Sequence, residues 1–374
     1  MNCLLLMMVP AIVFFILTGL NWFEFSDQDE DVWQGCAIAC GVLFLVIPMI
    51  YYLSIFGKTH DTEIWNGQVL SKSREQVHCR HSYSCNCSEE CEGEGKNESC
   101  HEECETCYEH PYDVDWDVHT SIDDYTIDTL DSQGLEEPPR WTSVKHGDPV
   151  AESRSFTNYV AAAKFSLFHD SVVVPQDMLK SVPDYPDSVY DYYNLNRALS
   201  IGTKIDTNVW SYGISLILRD LGPTKQANII IVFVGSNDIT WASAVRNKWN
   251  GAKKNDIVIT LGLDGNKIIW TNVYSWSDSQ IFKVVLRDDI NKIGTIAVPT
   301  PILNVVHDDT VKYFQRKHMK DFEYLKKEID PNTGIMLFLW ILAGVGSGGI
   351  LIAFFVINKE EEGETKQWTR RRTY

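Results

Sequence analysis

The sequence has little positive charge for its size. Its 374 residues carry 33 Lys and Arg against 51 Asp and Glu, which gives a formal net charge of −18. The phosphates of a nucleic acid would repel such a chain, so we expect no nucleic-acid partner. The same charge suits divalent cations or basic partners, although a solvated acidic surface is the simpler explanation.

The sequence also lacks the common catalytic motifs. It has no nucleophile elbow, no phosphate-binding glycine loop, no His-Glu-x-x-His pair and no dinucleotide fingerprint. Any of these would indicate a reaction class from spacing alone. Their absence leaves a weak case for an enzyme, and we predict no catalytic residue.

Three long apolar runs stand out in the sequence. Residues 3–23 and 35–56, on either side of an acidic loop within residues 1–57, predict a helical hairpin, and residues 334–358 form the third run. As helices rising about 1.5 Å per residue, all three can cross roughly 30 Å of hydrocarbon. A signal peptide is the alternative for the first run, but no Lys or Arg precedes it. The sequence therefore predicts an integral membrane protein with the lipid bilayer as a partner.

The third apolar run contains two glycines at helical spacing. Gly344 and Gly348 lie four residues apart, a spacing that lets a neighbouring helix approach closely. We predict a packing seam there. Its neighbour is the N-terminal hairpin or a second chain, through self-association or a membrane-protein partner.

The basic residues near the apolar runs bear on orientation. The charged tail, residues 359–374, ends in three arginines, which favours a cytosolic C-terminus, whereas Lys58 and Lys72 lie at the opposite end of the runs. Long translocated segments escape the charge rule, so the tail carries more weight. We therefore predict that residues 57–333 lie on the extracytosolic side.

Residues 58–140 form a cysteine-rich module. Its seven cysteines are Cys79, Cys85, Cys87, Cys91, Cys100, Cys104 and Cys107. Thiols this dense form disulfides in an oxidising compartment or bind metal in a reducing one. The extracytosolic orientation favours disulfides, with one of the seven left free or paired between chains. If the cysteines are reduced, we expect zinc, with Cys104 and Cys107 as a close pair completed by other cysteines, His101 or His110, and a module that faces the cytosol.

The same module has a β pattern after the cysteines. In residues 112–118 apolar side chains alternate with Asp113, Asp115 and Asp117, which predicts a strand with one buried face. The aspartates also resemble the start of a calcium loop, but Val118 occupies the position of the required glycine. Residues 125–128 are predicted to pair with this strand.

Residues 141–205 are rich in turn residues and predict a linker and an irregular, partly helical connection. Residues 206–330 then alternate between helical and strand periods. A helix capped at Asp206, a continuous apolar strand at 228–235 and a hairpin of strands 256–263 and 267–276 predict a small sheet between helices.

This α/β region, residues 200–320, resembles the TPM-domain family. The resemblance rests on the strand from Ala227 to Val234, the stretch from Lys253 to Leu261, the turn from Asp264 to Lys267 and the helix from Asp278 to Asp289. It implies a small extracytosolic α/β domain tethered by a following membrane helix, in a family that includes an acid phosphatase and photosystem-repair factors. Ile257 and the segment 274–277 depart from glycines usual in the family, which weighs against an inherited phosphatase activity. The cysteine-rich half is similar to uncharacterised membrane proteins of large bacteriophages, and no function follows from that similarity.

Three aspartates at turns of this domain are candidate metal ligands. Asp238, Asp264 and Asp278 could meet at one sheet edge around calcium or another divalent cation, which could position a phosphate. Helix capping by Asp238 and Asp278 and a turn at Asp264 explain the same positions without a metal.

Together these patterns predict an α+β membrane protein: an N-terminal helical hairpin, a cysteine-rich β module, a TPM-like α/β sandwich and a C-terminal membrane helix. The predicted function is a membrane-anchored, non-enzymatic scaffold or assembly factor with an extracytosolic ectodomain. The alternatives are a metal-dependent phosphohydrolase of TPM type and a cytosol-facing zinc-binding membrane protein.

Overall fold

The computed structural model describes residues 2–23, 30–92, 99–163, 172–189 and 195–372. The helices in these residues are α1 (Asn2–Phe23), α2 (Glu30–Thr59), α3 (Pro139–Ser143), α4 (Tyr159–Ala162), α5 (Gln176–Ser181), α6 (Thr207–Lys225), α7 (Thr240–Lys248), α8 (Gln280–Ile293), α9 (Pro299–Tyr313) and α10 (Thr333–Arg372). The strands are β1 (His60–Val77), β2 (Ser82–Glu92), β3 (Ser99–Tyr108), β4 (Asp113–Thr120), β5 (Asp124–Ile127), β6 (Pro149–Thr157), β7 (Ala198–Ile201), β8 (Asn228–Val234), β9 (Asp256–Asp264) and β10 (Lys267–Ser275). A 3-10 helix spans Met319–Glu328.

The chain is a mixed α/β protein, as predicted, and it divides into two compact units. The first contains Met1–Asp61, Phe156–Ser166 and Met319–Tyr374. The second contains Thr62–Ser155 and Leu167–His318.

In the first unit, α1, α2 and α10 pack against one another. The buried side chains between them form two groups, one including Leu6, Ile47, Tyr51, Leu339 and Ala343, the other including Val13, Leu17, Cys36, Cys40 and Phe354. Two of these helices, over Val32–Thr59 and Thr333–Ile357, are long and apolar enough to cross a membrane, with a mean hydropathy of 2.3 each. The apolar stretch of α1 that is described in full, Cys3–Gly19, is shorter. α10 continues past the predicted end of the apolar run into the charged tail.

Polar contacts fix the end of α2 to the residues before α10. The hydroxyl of Tyr51 donates to Asp330 Oδ1 at 2.9 Å, and Lys58 Nζ donates to the Asp330 carbonyl at 2.7 Å. These bonds hold the two long apolar helices in a fixed register within the unit.

The second unit contains an antiparallel sheet with the strand order β5-β4-β1-β6. The core of this sheet includes Val69, Val114, Trp116, Val118 and Val150. The pairing of β4 with β5 confirms the prediction for residues 125–128. Strand β6 lies inside the segment predicted as an irregular connection, because Val150 and Ala151 are buried against this sheet while nearby turn residues hide the pattern.

The prediction that β4 has one buried face is wrong at its start. Asp113 and Asp115 are 5% and 7% exposed, although they lie on the face opposite Val114 and Trp116. The residues after β1 cover them: the Arg80 backbone N–H donates to Asp113 at 2.8 Å, and the Arg80 guanidinium forms an ion pair with Asp115. Hydrogen bonds and charge pairing compensate the burial of these carboxylates.

Strands β2 and β3 form a separate antiparallel hairpin that carries the clustered cysteines. Disulfides join Cys85 to Cys107 and Cys87 to Cys104 across its strands. The hairpin leaves and rejoins the first sheet between the end of β1 and the start of β4.

The second sheet of this unit has the strand order β10-β9-β8-β7. Strands β7, β8 and β9 are parallel, and β10 returns antiparallel to β9 in the predicted hairpin. All seven residues of β8 are buried, as expected of a strand covered on both faces. Helices α6, α8 and α9 pack on one face and α5 and α7 on the other, which is the predicted arrangement of a sheet between helices.

A buried polar network connects β1 to this second sheet. Asn66 Nδ2 donates to the Ala227 carbonyl at 3.0 Å, and the Arg197 guanidinium donates to Asn66 Oδ1 at 2.7 Å. Asn228 Nδ2 in turn donates to Asp256 Oδ1 at 2.9 Å. The network fixes the two sheets of the unit together through directional bonds.

A buried carboxylate makes a second polar connection between the sheets. Glu63, in β1, is 2% exposed and forms ion pairs with Lys254 Nζ at 3.3 Å and with the Arg316 guanidinium. The indole of Trp65 also donates to Glu63 at 2.9 Å. Two cations and one donor therefore surround a single buried acid.

Candidate metal centre

Four potential metal ligands meet at the base of the β2–β3 hairpin. Cys79 and His81 lie just before β2, His110 follows β3, and Asp113 begins β4. The pairing of Val77 with Asp113 and of Ser82 with Tyr108 brings the two chain segments together. The Glu109 N–H also donates to the His81 carbonyl at 3.0 Å. The strand register thus places residues 79–81 beside residues 110–113.

The ligand atoms of these four residues lie within 4.8 Å of one another. Cys79 Sγ is 3.7 Å from His110 Nδ1, which is 3.3 Å from Asp113 Oδ1. His81 Nδ1 is 3.7 Å from Asp113 Oδ2. Ligands about 2.0–2.3 Å from a tetrahedral zinc ion are separated from one another by about 3.3–3.8 Å. Each of the three distances falls in this range, and the contacts of the two histidines end on different oxygens of Asp113.

The centre is buried on one side and open on the other. Cys79 is 3% exposed and Asp113 5%, while His110 is half-buried and the ring of His81 is exposed. A bond from the Arg80 backbone N–H, together with bonds from Cys79 and His110, holds the pKa of the Asp113 carboxyl below its ordinary value against the opposing effect of burial. Asp113 is thus an anionic oxygen donor aimed at the cluster.

Residues around the cluster orient its ligands. The Arg80 backbone N–H fixes one oxygen of Asp113, and the ring of His78 packs edge-on against Tyr108 with centroids 4.4 Å apart. In metal sites, outer contacts of this kind hold the ligands in one geometry.

The predicted cysteine ligands differ in their bonding. Cys85, Cys87, Cys104 and Cys107 are joined in the two disulfides, and Cys79 is a free thiol. Cys87, Cys104 and Glu102 form a second cluster, but sulfurs joined in a disulfide are not thiolate ligands. The backbones of Cys91 and Cys100 are paired, and their side chains lie outside the described residues. His101, also offered as a ligand, is exposed on β3 and belongs to neither cluster.

The three turn aspartates of the α/β region do not converge. Asp264 pairs with Lys267 at one end of the β9–β10 hairpin, whereas Asp278 follows the other end of β10. Asp238 Oδ1 accepts the Thr240 N–H at 2.8 Å at the start of α7, and Asp278 forms an ion pair with Lys317. Capping, turn and ion-pair roles account for all three, and the described geometry gives them no common metal.

The glycine pair of α10 faces away from the other helices of its unit. A Cβ atom at Gly344 or Gly348 would meet nothing within 4 Å, whereas one at Gly346 would lie 3.1 Å from Leu43 of α2. The contact with the N-terminal hairpin is therefore made by Gly346 and its neighbours Ala343 and Ser347, which are buried. A second chain on the Gly344 side stays a prediction.

Sequence reasoning offered Cys79 and His110 but missed His81 and Asp113. The available indication was Cys-x-His before the hairpin and His-x-x-Asp after it, at the two ends of one cysteine-rich segment.

Comparisons of the chain with protein-family models, curated proteins and solved structures find no match. The resemblance to the TPM domain and to phage membrane proteins therefore stays a prediction.

Proposed function

We propose that this chain is a membrane-anchored, non-enzymatic scaffold whose β module is fixed by one zinc ion bound to Cys79, His81, His110 and Asp113. The observation that carries the proposal is the approach of all four ligand atoms to within 4.8 Å of one another. The cluster joins the base of the hairpin to the first sheet, so a metal there would stabilise the junction between them.

The ligand set identifies the kind of metal. A thiolate and two imidazoles suit zinc and other late first-row cations, whereas calcium and magnesium take oxygen ligands. With neutral histidines, one thiolate and one carboxylate carry two negative charges, which balance a divalent cation. Neutral sites of this kind are the ones that can be partly buried without an uncompensated charge.

The coordination number favours a structural role. Four protein ligands complete the tetrahedron of zinc, whereas catalytic zinc sites keep a position for water or substrate. Such an ion would contribute to folding, because the four ligands come from segments about 30 residues apart that only the folded β1–β4 and β2–β3 pairings bring together. A rigid metal-fixed ectodomain is suited to scaffolding and assembly.

The low burial of the two long helices supports membrane anchoring. In Val32–Thr59 and Thr333–Ile357 only 22% and 17% of the most apolar window is buried within the fold. A core helix of a soluble protein would be mostly buried, and lipid can solvate the remaining apolar side chains. At 1.5 Å per residue these stretches are about 42 and 38 Å long, enough to cross the hydrocarbon.

The sidedness of the ectodomain forms part of the same proposal. The two disulfides are typical of an oxidising compartment, and the arginines of the C-terminal tail favour the cytosolic side for that end. We therefore propose that the ectodomain is extracytosolic, with zinc bound through the free thiol of Cys79. The partner that such a scaffold assembles is a prediction that rests on the exposed Gly344 side of α10.

Zinc content of the full-length protein in detergent tests the proposal. After dialysis against metal-free buffer, wild type should retain about one zinc per chain by elemental analysis. Cys79→Ser and His110→Gln should lower zinc affinity at least about tenfold, since each removes a ligand. His119→Gln is the matched control, because His119 lies on β4 and contacts Ser73 and Asp124 instead of the cluster.

Two results of this experiment would contradict the zinc proposal. Wild type that takes up no zinc from micromolar solution, while its far-ultraviolet circular dichroism shows a folded chain, would overturn the metal proposal. Equal loss of zinc in His119→Gln and His110→Gln would also overturn it, because the loss would then not depend on the four ligands.

A further inference from the structure

The α/β region of the second unit contains a cavity of about 670 Å³ beside the edge strand β10. Helix α7 forms one wall, residues 272–275 of β10 form another, and Lys283 enters from α8. The volume lies within the range of small-molecule sites, roughly 300–1,000 Å³. The cavity is remote in sequence from the metal centre, and none of the four metal ligands lines it.

Polar side chains face the cavity from both principal walls. Thr240, Ser243 and Arg246 follow at three-residue intervals, so they share one face of α7. Asn272 and Tyr274 are two residues apart on β10 and share one face of the strand. The lining thus supplies hydroxyl and amide groups from two directions, with rigid secondary structure behind each.

Two cations line the same space. Arg246 packs over the ring of Tyr274, with its guanidinium carbon 4.4 Å from the ring centroid, which fixes its position at the cavity wall. Lys283 is partly buried, and desolvation together with the charge of Arg246 lowers the pKa of its ammonium group. Among the described residues that line the cavity none is Asp or Glu, in a chain whose net charge is −18. This is a local excess of positive charge inside an acidic protein.

We propose that this cavity binds a small, water-soluble phosphate monoester, with Arg246 and Lys283 on the phosphate and the polar side chains of α7 and β10 on the rest of the molecule. Two positive charges match the charge of about −1.5 to −2 on a phosphate monoester at neutral pH better than they match a single carboxylate. A guanidinium offers two parallel donors to phosphate oxygens, and a lysine adds a point charge. The apolar side chains Ile239 and Ala242 of the lining are suited to an organic substituent.

Calorimetric titration of the full-length protein in detergent tests this site. The probes are glycerol 3-phosphate, inorganic phosphate and acetate, each at the same ionic strength. We expect saturable binding of glycerol 3-phosphate, with acetate at least about tenfold weaker. Lys283→Gln and Arg246→Gln should each weaken the glycerol 3-phosphate affinity about tenfold or more, because each removes a charged hydrogen bond.

Lys292→Gln is the matched control, since Lys292 lies on the same helix α8 but pairs with Asp289 outside the cavity. The affinity of Lys292→Gln for glycerol 3-phosphate should equal that of wild type. The proposal is overturned if 10 mM glycerol 3-phosphate gives no binding heat, if acetate binds as tightly, or if Lys283→Gln binds as well as wild type. Should Arg246→Gln unfold, Lys283→Gln decides alone. The zinc content of every variant should stay at the wild-type value, which separates this result from the test of the metal centre.

Discussion

Asp256 provides a quantitative test of the buried polar network, through acidification and the substitution Asp256→Asn. This residue begins β9 and is 1% exposed. Burial raises the pKa of its carboxyl from the ordinary 3.8 to about 6, although Asn228, the Lys253 backbone N–H and the Tyr185 hydroxyl all donate to it. Desolvation therefore outweighs three favourable hydrogen bonds at this site.

The sign and size of the effect follow from proton linkage. A carboxyl with a raised pKa binds its proton more tightly in the folded state, so its contribution to stability is fully present below pH 3.8 and is lost as the pH rises through about 6. The complete change is about 3 kcal/mol, of which about 1.4 kcal/mol falls between pH 5.0 and 7.5. For a unit of this size that is a difference of about 3–5 °C in Tm.

The assay is thermal unfolding of the full chain in detergent, followed by tryptophan fluorescence at pH 5.0 and 7.5. Other titrating groups are shared between wild type and Asp256→Asn, so the difference between their pH dependences isolates this carboxyl. The variant should be less stable at both pH values, because an amide cannot accept all three donors. Only wild type should lose the additional 3–5 °C on going from pH 5.0 to 7.5.

Asp264→Asn, in the exposed turn at the other end of β9, controls for the loss of a carboxylate from the same strand. Our reasoning is refuted if wild type and Asp256→Asn have the same pH dependence within about 1 °C. It is also refuted if wild type gains stability, relative to that variant, as the pH rises.

Two further predictions concern the contacts of β1 with the α/β region. Glu63→Gln should lower the free energy of unfolding by about 3–5 kcal/mol, because it removes the buried carboxylate that pairs with both Lys254 and Arg316. Glu152→Gln, which removes the partly exposed carboxylate paired with Arg154, should cost under about 1 kcal/mol, and urea unfolding measures both variants. Gly222→Ala should destabilise by at least about 1–3 kcal/mol, because its Cβ atom would lie 1.9 Å from the Asn66 carbonyl oxygen, and thermal unfolding measures it.

A helical glycine elsewhere in the chain separates the clash from the general effect of adding a methyl group. Gly57, in α2, has nothing within 4 Å of an added Cβ atom. Gly57→Ala should therefore leave Tm unchanged or raise it slightly, since alanine has the higher helix propensity. If Gly222→Ala behaves in the same way, the close approach of α6 to β1 is not as described.

The elements of the α/β sheet could be predicted from sequence because their patterns are local. The continuous apolar run of β8 and the turn at Gly265 between β9 and β10 each lie within a few residues, and the structure places a central strand and a hairpin there. The long apolar helices are equally local, since length and hydropathy define them. In these segments local preference and tertiary packing agree.

The cover on β4 could not be predicted in the same way. Alternation of Asp113 and Asp115 with apolar residues specifies two faces of a strand, but not what lies over the second face. That face is covered by Arg80, which belongs to a segment more than 30 residues away. Burial of these carboxylates depends on a long-range contact that sequence periodicity does not contain.

The metal centre illustrates the same limit and shows why the disulfides and the thiol have different roles. The disulfides join β2 to β3 within one hairpin, so they restrain those two strands and not the segments at the base of the hairpin. Cys79 lies outside the paired strands β2 and β3, beside His81 before β2 and opposite His110 and Asp113 after β3. Backbone N–H groups of Glu109 and Arg80 already donate across these two segments, and under our proposal a zinc ion would join them further through the four clustered ligands. Loss of zinc should therefore loosen the hairpin relative to the first sheet while both disulfides stay intact.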